Sequence, residues 1–575
     1  MESLYADDGG ASMTLLSGNA QDQDSNSGVP KIRVAVRFGR NPYIAFGIFS
    51  LIVSFAHFYA GFAARYSDLS GDQINILTIC AKKDHPELFK GDLVVGDLRN
   101  VEYYTPLFVE CIRLASLPDH NYLRGLNILL LLTSLFYMWG WWLLFCRFGD
   151  RFVAAILAFL VRGIMWPPGY ELWGIAGLWT MLPRTLFLAL LPWVLWSWLL
   201  LRGKPKFRLI PFLLCGLLAN IHPISGAGCA VALLLAEATW TWLDSRKMRV
   251  VVRHLVPVMA FAAIGMLPFI WTYLANLGDA SRVSPQEFEN AVKMRIELFF
   301  FEPLGYLREW ISLKWLAFLF LPWMALLFLP GKSKAGKGAL LLSMGAFWLG
   351  CAAFAFVPFL AESVLNSLGY HARFAFQLVR SAKYVMIPSI IVAVIVTLGI
   401  ASEIGRGSKP GKLAVVLASC VLVAFTLVCQ HPALDGIPYF GDDVTRMLWP
   451  DLGFGEAVGW PNDRTLDRVL DWIKSDTPAD AKFVGPRVIR PACLRSVIHD
   501  WGGAGMLIEG NPKAFVEAAR RERLFRELVK PNPNGAGRLF RPWGADYWLT
   551  RLRADSLNVA HADSPWYVYD LRPHP

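Results

Sequence analysis

The sequence predicts a polytopic α-helical membrane protein of about eleven spans, with a small external α/β domain at its C-terminal end. Three observations carry that reading. Hydrophobic residues make up 55% of the 575 residues and charged residues only 18%, where a soluble chain carries about a quarter charged. The apolar residues gather into runs that can cross ~30 Å of hydrocarbon. The basic residues fall between those runs, at every second junction. This composition excludes a secreted disulfide scaffold, a coiled coil and a disordered chain.

Residues 1–30 hold five acidic residues, no Lys or Arg and no apolar run. They read as a disordered cytoplasmic tail, not a signal peptide, and the basic stretch to residue 40 extends it. Spans follow near 42–64, 124–146, 152–166, 184–201, 209–221, 223–243, 254–275, 313–330, 338–361, 384–401 and 413–430, all within a membrane region 41–430. Lys and Arg in short loops stay cytoplasmic. Lys31, Arg33, Arg37 and Arg40 precede the first span, and Arg147 and Arg151 follow the second. The same pattern recurs at Arg202–Arg208, Arg246–Arg253, Lys332–Lys337 and Arg406–Lys412. The expected topology is therefore a cytoplasmic N-terminus and an external segment 431–575.

Lys and Arg total 56 against 45 Asp and Glu. From His431 onward nineteen basic residues balance nineteen acidic ones, so the excess of +11 lies in the membrane region as short clusters. A nucleic-acid binder would gather its cations into one stripe, so no nucleic acid is expected as a partner. The nine cysteines show no CxxC or metal spacing. Cys80 and Cys111 share one external loop and could pair in an oxidising compartment.

The external face holds the unusual sequence. The first loop, 65–122, carries nine acidic and five basic residues after Arg65. Its segments Ile74–Ala81 and Tyr104–Ala115 have helical periodicity and read as amphipathic helices on the membrane surface. A second loop, 167–183, bears Trp. A third, 276–312, includes Arg282, Glu287, Lys293 and Arg295. A fourth, 362–383, ends in Arg373, Arg380 and Lys383. In the tail, Thr465–Ser475 and Pro512–Val529 read as helices, the second opened by Asn511 as N-cap and Pro512 at N1. Strands are expected at Lys482–Gly485, Ser496–Asp500, Asp546–Leu549 and Trp566–Leu571.

Particular motifs carry a resemblance. The first loop reads Gly71-Asp72-Gln73, then an apolar helix, then His85-Pro86-Glu87-Leu88-Phe89-Lys90-Gly91-Asp92. Pro183-Arg184, His222-Pro223 and Arg380-Ser381 stand at span starts, and the tail has Trp472–Ala481 and an aromatic strand at Trp566–Leu571. With the layout from about residue 40, these resemble the GT-C class of membrane glycosyltransferases, and within it the little-characterised bacterial GT-C-like proteins. The resemblance implies transfer of a sugar from a polyprenyl-phosphate donor, outside the cytoplasm, to a glycan, lipid or protein acceptor. It implies that a loop carboxylate acts as general base or orders a divalent metal ion, and that Arg and Lys near the bilayer hold the lipid phosphate.

On that basis Asp72 is the candidate base, with Asp68 as its companion. Many members carry adjacent acids, whereas these are four apart, a spacing that shares a helix face but diverges in an extended loop. Arg380, Arg184 and Lys383 are the candidate phosphate ligands, and Gln73, His222 and Asp92 the candidate substrate contacts. A helix cap competes as the reading of Asp72, a loop turn as that of Asp92, snorkelling as that of the arginines, and packing as that of His222. Two other functions stay open: a non-catalytic GT-C-like envelope or exopolysaccharide scaffold, and a lipid or solute transporter.

Overall fold

The computed structural model describes residues 42–149, 151–161, 165–166, 171–172, 174–175, 177–276, 283–295, 313–328, 338–370, 378, 384, 386–406 and 464–573. The N-terminal tail, the expected span at 413–430 and the start of the external segment lie outside them.

The membrane region is built of α1 (Pro42–Gly61), α4 (Tyr122–Phe145), α5 (Arg151–Val161), α6 (Pro183–Leu201), α7 (Ile210–Leu218), α8 (Pro223–Ser245) and α9 (Met248–Asn276). Further along come α11 (Leu313–Phe328), α12 (Gly338–Ser367) and α13 (Met386–Arg406). Six of them, α1, α4, α6, α8, α9 and α12, are long and apolar enough to cross a membrane. The chain is thus a multi-pass helical protein. The eleven expected spans are not all formed as full helices. At 1.5 Å per residue, the 11 residues of α5 and 9 of α7 fall well short of ~30 Å.

Which faces are lipid-facing follows from exposure. On α1, Ile44, Ile48, Leu51, Phe55 and Tyr59 are exposed at helical spacing, while Phe46, Ser50, Val53, Ser54 and His57 are buried. Water would not tolerate that apolar stripe; hydrocarbon does. The buried face of α1 meets α4 through polar contacts that have no water to compete with. Ser54 Oγ donates to Ser134 Oγ at 2.9 Å, Trp139 Nε1 to Ser50 Oγ at 3.0 Å, and Asn127 Nδ2 to the Phe58 carbonyl at 2.8 Å. Small residues allow closer crossings elsewhere. A Cβ on Gly265 of α9 would collide with the Leu213 carbonyl of α7, and one on Gly350 of α12 with the Ala232 backbone of α8.

In the first loop, α2 (Gly71–Asp84) and α3 (Pro106–Ser116) form close to where periodicity places them. Their surroundings differ from expectation. α2 does not lie on the membrane surface: every residue from Gln73 to Lys82 is buried, because α3, α4 and the C-terminal domain enclose it. α3 keeps an exposed apolar edge at Leu107, Leu114 and Leu117, as a helix lying along a membrane surface would. Cys80 and Cys111 are unpaired. The Cys80 thiol instead faces the Val109 carbonyl at 3.7 Å. In the second loop, Met165–Trp166 (β1) and Glu171–Leu172 (β2) pair antiparallel, and in the third, Pro285–Arg295 forms α10.

The C-terminal domain is a five-stranded sheet in the order β4-β3-β5-β7-β6, from Lys482–Val484 (β3), Ser496–His499 (β4), Tyr547–Thr550 (β5), Asn558–Asp563 (β6) and Trp566–Asp570 (β7). β3 pairs parallel with β4 and β5, while β7 pairs antiparallel with β5 and β6. Strand alternation sends Phe483, Val497, Tyr547, Leu549 and Val568 to a face that continues into the core of the first loop. Val484, Ile498, Trp548 and Tyr569 go to the other face, beneath residues 525–543. Helices α14 (Arg464–Asp476), α15 (Ile489–Cys493) and α16 (Pro512–Leu524) complete the domain. Asn511 caps α16 as expected, accepting from the Ala514 amide at 3.0 Å. The exposed strand β6 has no expectation behind it.

The domain is locked to the first loop by charge. Arg490, 1% exposed, donates from Nε to Asp92 Oδ2 at 2.6 Å, from Nη2 to Asp92 Oδ1 at 3.0 Å and from Nη1 to Asp500 Oδ2 at 2.6 Å. Asp92 also accepts the amides of Val94, Val95 and Val497. Although burial alone would raise it, the charges of Arg490 and Arg487 hold the Asp500 carboxyl below the ordinary carboxylate range. The same domain reaches α9, where Tyr273 Oη donates to Glu509 at 3.0 Å, and α10, where Phe288 meets Phe515 edge to face.

First loop and C-terminal domain therefore share one side. The helix ends that meet them, at Gly61, Tyr122, Pro183, Pro223 and Asn276, are opposite the ends carrying Arg147, Arg202–Arg208 and Arg246–Arg253. An even number of crossings must separate the two units. Cysteine placed at exposed Asp119 and exposed Asp476 should accordingly react together with an impermeant maleimide in right-side-out vesicles; labelling of only one would refute the shared side. Arg490→Met strands two buried carboxylates and should cost about 3–5 kcal/mol, read as a lower melting temperature and faster proteolysis of the 464–573 region.

Candidate functional site

The N-terminus of α2 is the centre of the site. Ser70 caps the helix: its Oγ accepts the Gln73 amide at 3.3 Å, and Gln73 Oε1 accepts the Ser70 amide at 2.9 Å. This reciprocal pair satisfies two otherwise orphaned donors. It also releases Asp72 from capping. Asp72 is the second helical residue and exposed, and among the described residues its carboxylate has no hydrogen bond or ion pair.

Several expected site residues have structural work instead. Gln73 is 1% exposed and donates from Nε2 to the carbonyls of Leu178 at 2.6 Å and Met181 at 3.1 Å. With both ends of its amide occupied, it fastens α2 to the turn before α6 and is not a sugar contact. Asp92 is buried in the Arg490 lock and cannot approach a donor. His222 caps α8, its Nδ1 within 2.5 Å of Ser225 Oγ, and Ser225 in turn meets Tyr384. Its ring thus serves the start of a helix.

The two acids do not form a pair. Asp68 ends the short turn Tyr66–Asp68, and Leu69 and Ser70 are extended before α2 begins. The four-residue spacing therefore does not share a helix face. Asp68 turns to the tail, accepting from the Arg65 amide at 2.7 Å and from Arg464 at 3.4 Å. Arg184 is half-buried at the second position of α6, three residues beyond the Met181 carbonyl that Gln73 holds. Arg380 and Lys383 lie outside the described residues.

What joins Asp72 is a pair of arginines from elsewhere in the chain. The Arg487 guanidinium, from the turn after β3, packs against Gly71 so closely that a Cβ there would overlap it. Among the described residues it has no hydrogen bond or ion pair. Arg295, at the end of α10, donates from Nη2 to the Gly502 carbonyl at 3.1 Å, while its buried Nε has no partner. Burial, and then the neighbouring charge of Arg487, lower the Arg295 pKa, against the opposing charges of Asp500, Asp72 and Glu522. The Gly502–Gly505 segment packs at this joint. The site thus has an excess of fixed N–H donors beside one exposed carboxylate. Donors of this kind fit phosphate oxygens, and a free carboxylate next to them can accept a proton.

Arg487 carries no sequence signal beyond a Gly-Pro turn after a strand, and Arg295 was one charge among several in a long loop. Among the described residues no group of three or more His, Cys, Asp or Glu could hold a metal ion. No protein-family model matches the chain, and no curated protein matches it. Gln73→Leu leaves two carbonyls and an amide without their partner and should cost roughly 1–3 kcal/mol, measured as a lower melting temperature in detergent; an unchanged value would show that the α2–α6 tie is idle.

Proposed function

We propose that the protein is an integral-membrane glycosyltransferase of GT-C-like architecture. It would transfer a sugar from a polyprenyl-phosphate donor to an acceptor hydroxyl on the non-cytoplasmic face of a bacterial inner membrane. The observation that carries the reading is the Arg487 guanidinium seated on Gly71, one residue from the unengaged Asp72 carboxylate and near Arg295. In this reaction the acceptor oxygen forms a bond to the sugar C1 as the C1–O bond to phosphate breaks. Asp72 takes the hydroxyl proton, and the departing phosphate keeps the bonding electrons. Arg487 and Arg295 stabilise the charge that develops on it. Arg184 stands at the neighbouring helix start, and Arg380 and Lys383 are the remaining proposed phosphate ligands. A divalent metal held by Asp72 is the alternative use of that carboxylate.

The engagement of Asp68 by Arg464 favours one second reading, a non-catalytic GT-C-like scaffold that binds an envelope glycan, because it leaves a lone acid. Purified protein given radiolabelled polyprenyl-phosphate sugars and membrane extract decides between them. Transfer should occur, fall about 10²–10⁴-fold in Asp72→Asn, and show a raised donor KM in Arg487→Gln. Equal transfer by wild type and Asp72→Asn would remove the base, and no transfer from any donor would leave the scaffold.

A further inference from the structure

We propose that the end of the bundle opposite the C-terminal domain binds an anionic phospholipid, its headgroup at the start of α9 and its acyl chains along that helix. Between residues 198 and 254 the sequence has eight Lys and Arg but only two acids, Glu237 and Asp244. Both acids are spent inside the protein. Buried Glu237 accepts Trp198 Nε1 at 2.7 Å and Arg202 Nε at 3.3 Å, and meets His254 Nε2 at 2.7 Å. Asp244 pairs with Arg202 Nη2 at 3.0 Å, and the Arg202 guanidinium lies 4.3 Å from the centre of the Trp240 ring. Arg202 thereby fastens the α6–α7 link to the end of α8, where the chain turns into α9.

What remains there is cationic and continuous with apolar surface. Lys204 and Lys206 are exposed in the α6–α7 link, and Lys247, Arg249 and Arg253 are exposed where α9 begins. Among the described residues none of these five has an ion pair. The links that carry them are short and hydrogen-bonded. The Arg208 amide donates to the Lys204 carbonyl at 3.0 Å. Arg246, in the left-handed region at φ 52°, donates its amide to the Trp242 carbonyl at 2.7 Å, so that α8 passes to α9 in two residues. Along α9, Arg249, Val252, Arg253, Val256 and Met259 recur at helical spacing, and all of them are exposed. Leu267 continues the apolar part of that stripe further along the span. A helix face that is cationic at its end and apolar from there inward matches a phospholipid. The guanidinium and ammonium donors suit a phosphodiester, and the stripe lines acyl chains in the hydrocarbon. A free phosphate would use the first part and gain nothing from the second. Basic clusters at the ends of membrane helices attract anionic headgroups in this way. This site lies at the other end of the bundle from Asp72 and does not depend on sugar transfer there.

Native mass spectrometry of the full-length protein in neutral detergent tests it with three probes: phosphatidylglycerol, phosphatidylcholine of identical chains, and chainless glycerol phosphate. Phosphatidylglycerol should bind about tenfold or more tighter than phosphatidylcholine, and excess glycerol phosphate should not displace it. The paired variants Lys204→Gln with Lys206→Gln, and Arg249→Gln with Arg253→Gln, should each weaken its binding about tenfold or more. All four side chains are exposed, so an unchanged melting temperature shows that the fold is intact. Lys530→Gln, which removes an exposed cation of the C-terminal domain, should leave the affinity unaltered. Equal affinity for the two lipids, displacement by glycerol phosphate, or indifference to both pairs of substitutions would overturn the proposal.

Discussion

Two carboxylates bound by one buried guanidinium hold this molecule in its shape. Taking Asp92, Arg490 and Asp500 out of water is expensive, and the arrangement is tolerable only because amides and both acids fill the available hydrogen-bonding positions. Such a contact does little for net stability compared with apolar packing, but it is exacting in direction. It sets α15 against the first loop, and Arg487, one turn earlier, is carried to Gly71. The candidate site is in this sense a by-product of the lock: move Arg490 and the second arginine leaves Asp72.

The two sides of Asp500 differ in a way that bears on function. Toward α2 the structure offers N–H donors without acceptors and a carboxylate without a donor. Toward the sheet the acids are already matched, Asp500 by Arg490 and Glu522 by Arg526. Asp500 thus stands between unmatched donors at α2 and matched acids at the sheet. The enclosure of α2, the docking of α10 and the Tyr273–Glu509 contact all brace this joint from the membrane side.

Much of the architecture was legible because it depends on strong local signals. Hydropathy located the long helices, the alternation of basic junctions agrees with the side on which the first loop and tail meet, and Asn511-Pro512 marked a helix start. The four expected strands are present to within a residue or two. β6 was not legible, since its side chains are largely exposed and lack alternation. α5 and α7 misled because apolar runs report burial as readily as lipid, and a short helix inside a bundle has both neighbours and no need to span. The site was legible only at Asp72. Gln73 and Asp92 are polar residues in a motif, and sequence cannot tell a buried hydrogen-bonded amide from a substrate contact. Arg295 and Arg487 stand more than two hundred and more than four hundred residues from Asp72, so only the folded chain brings them together.

The lock also imposes an order on biosynthesis. Arg490 follows Asp92 by 398 residues, so at about 5–20 residues per second the first loop waits roughly 20–80 s for its counter-charge. During that interval α2 lacks the wall that α15 supplies, and its apolar residues stand uncovered while the bundle inserts. A nascent chain that stalls before the last quarter would display an uncompensated acid and an apolar helix face that the complete chain covers.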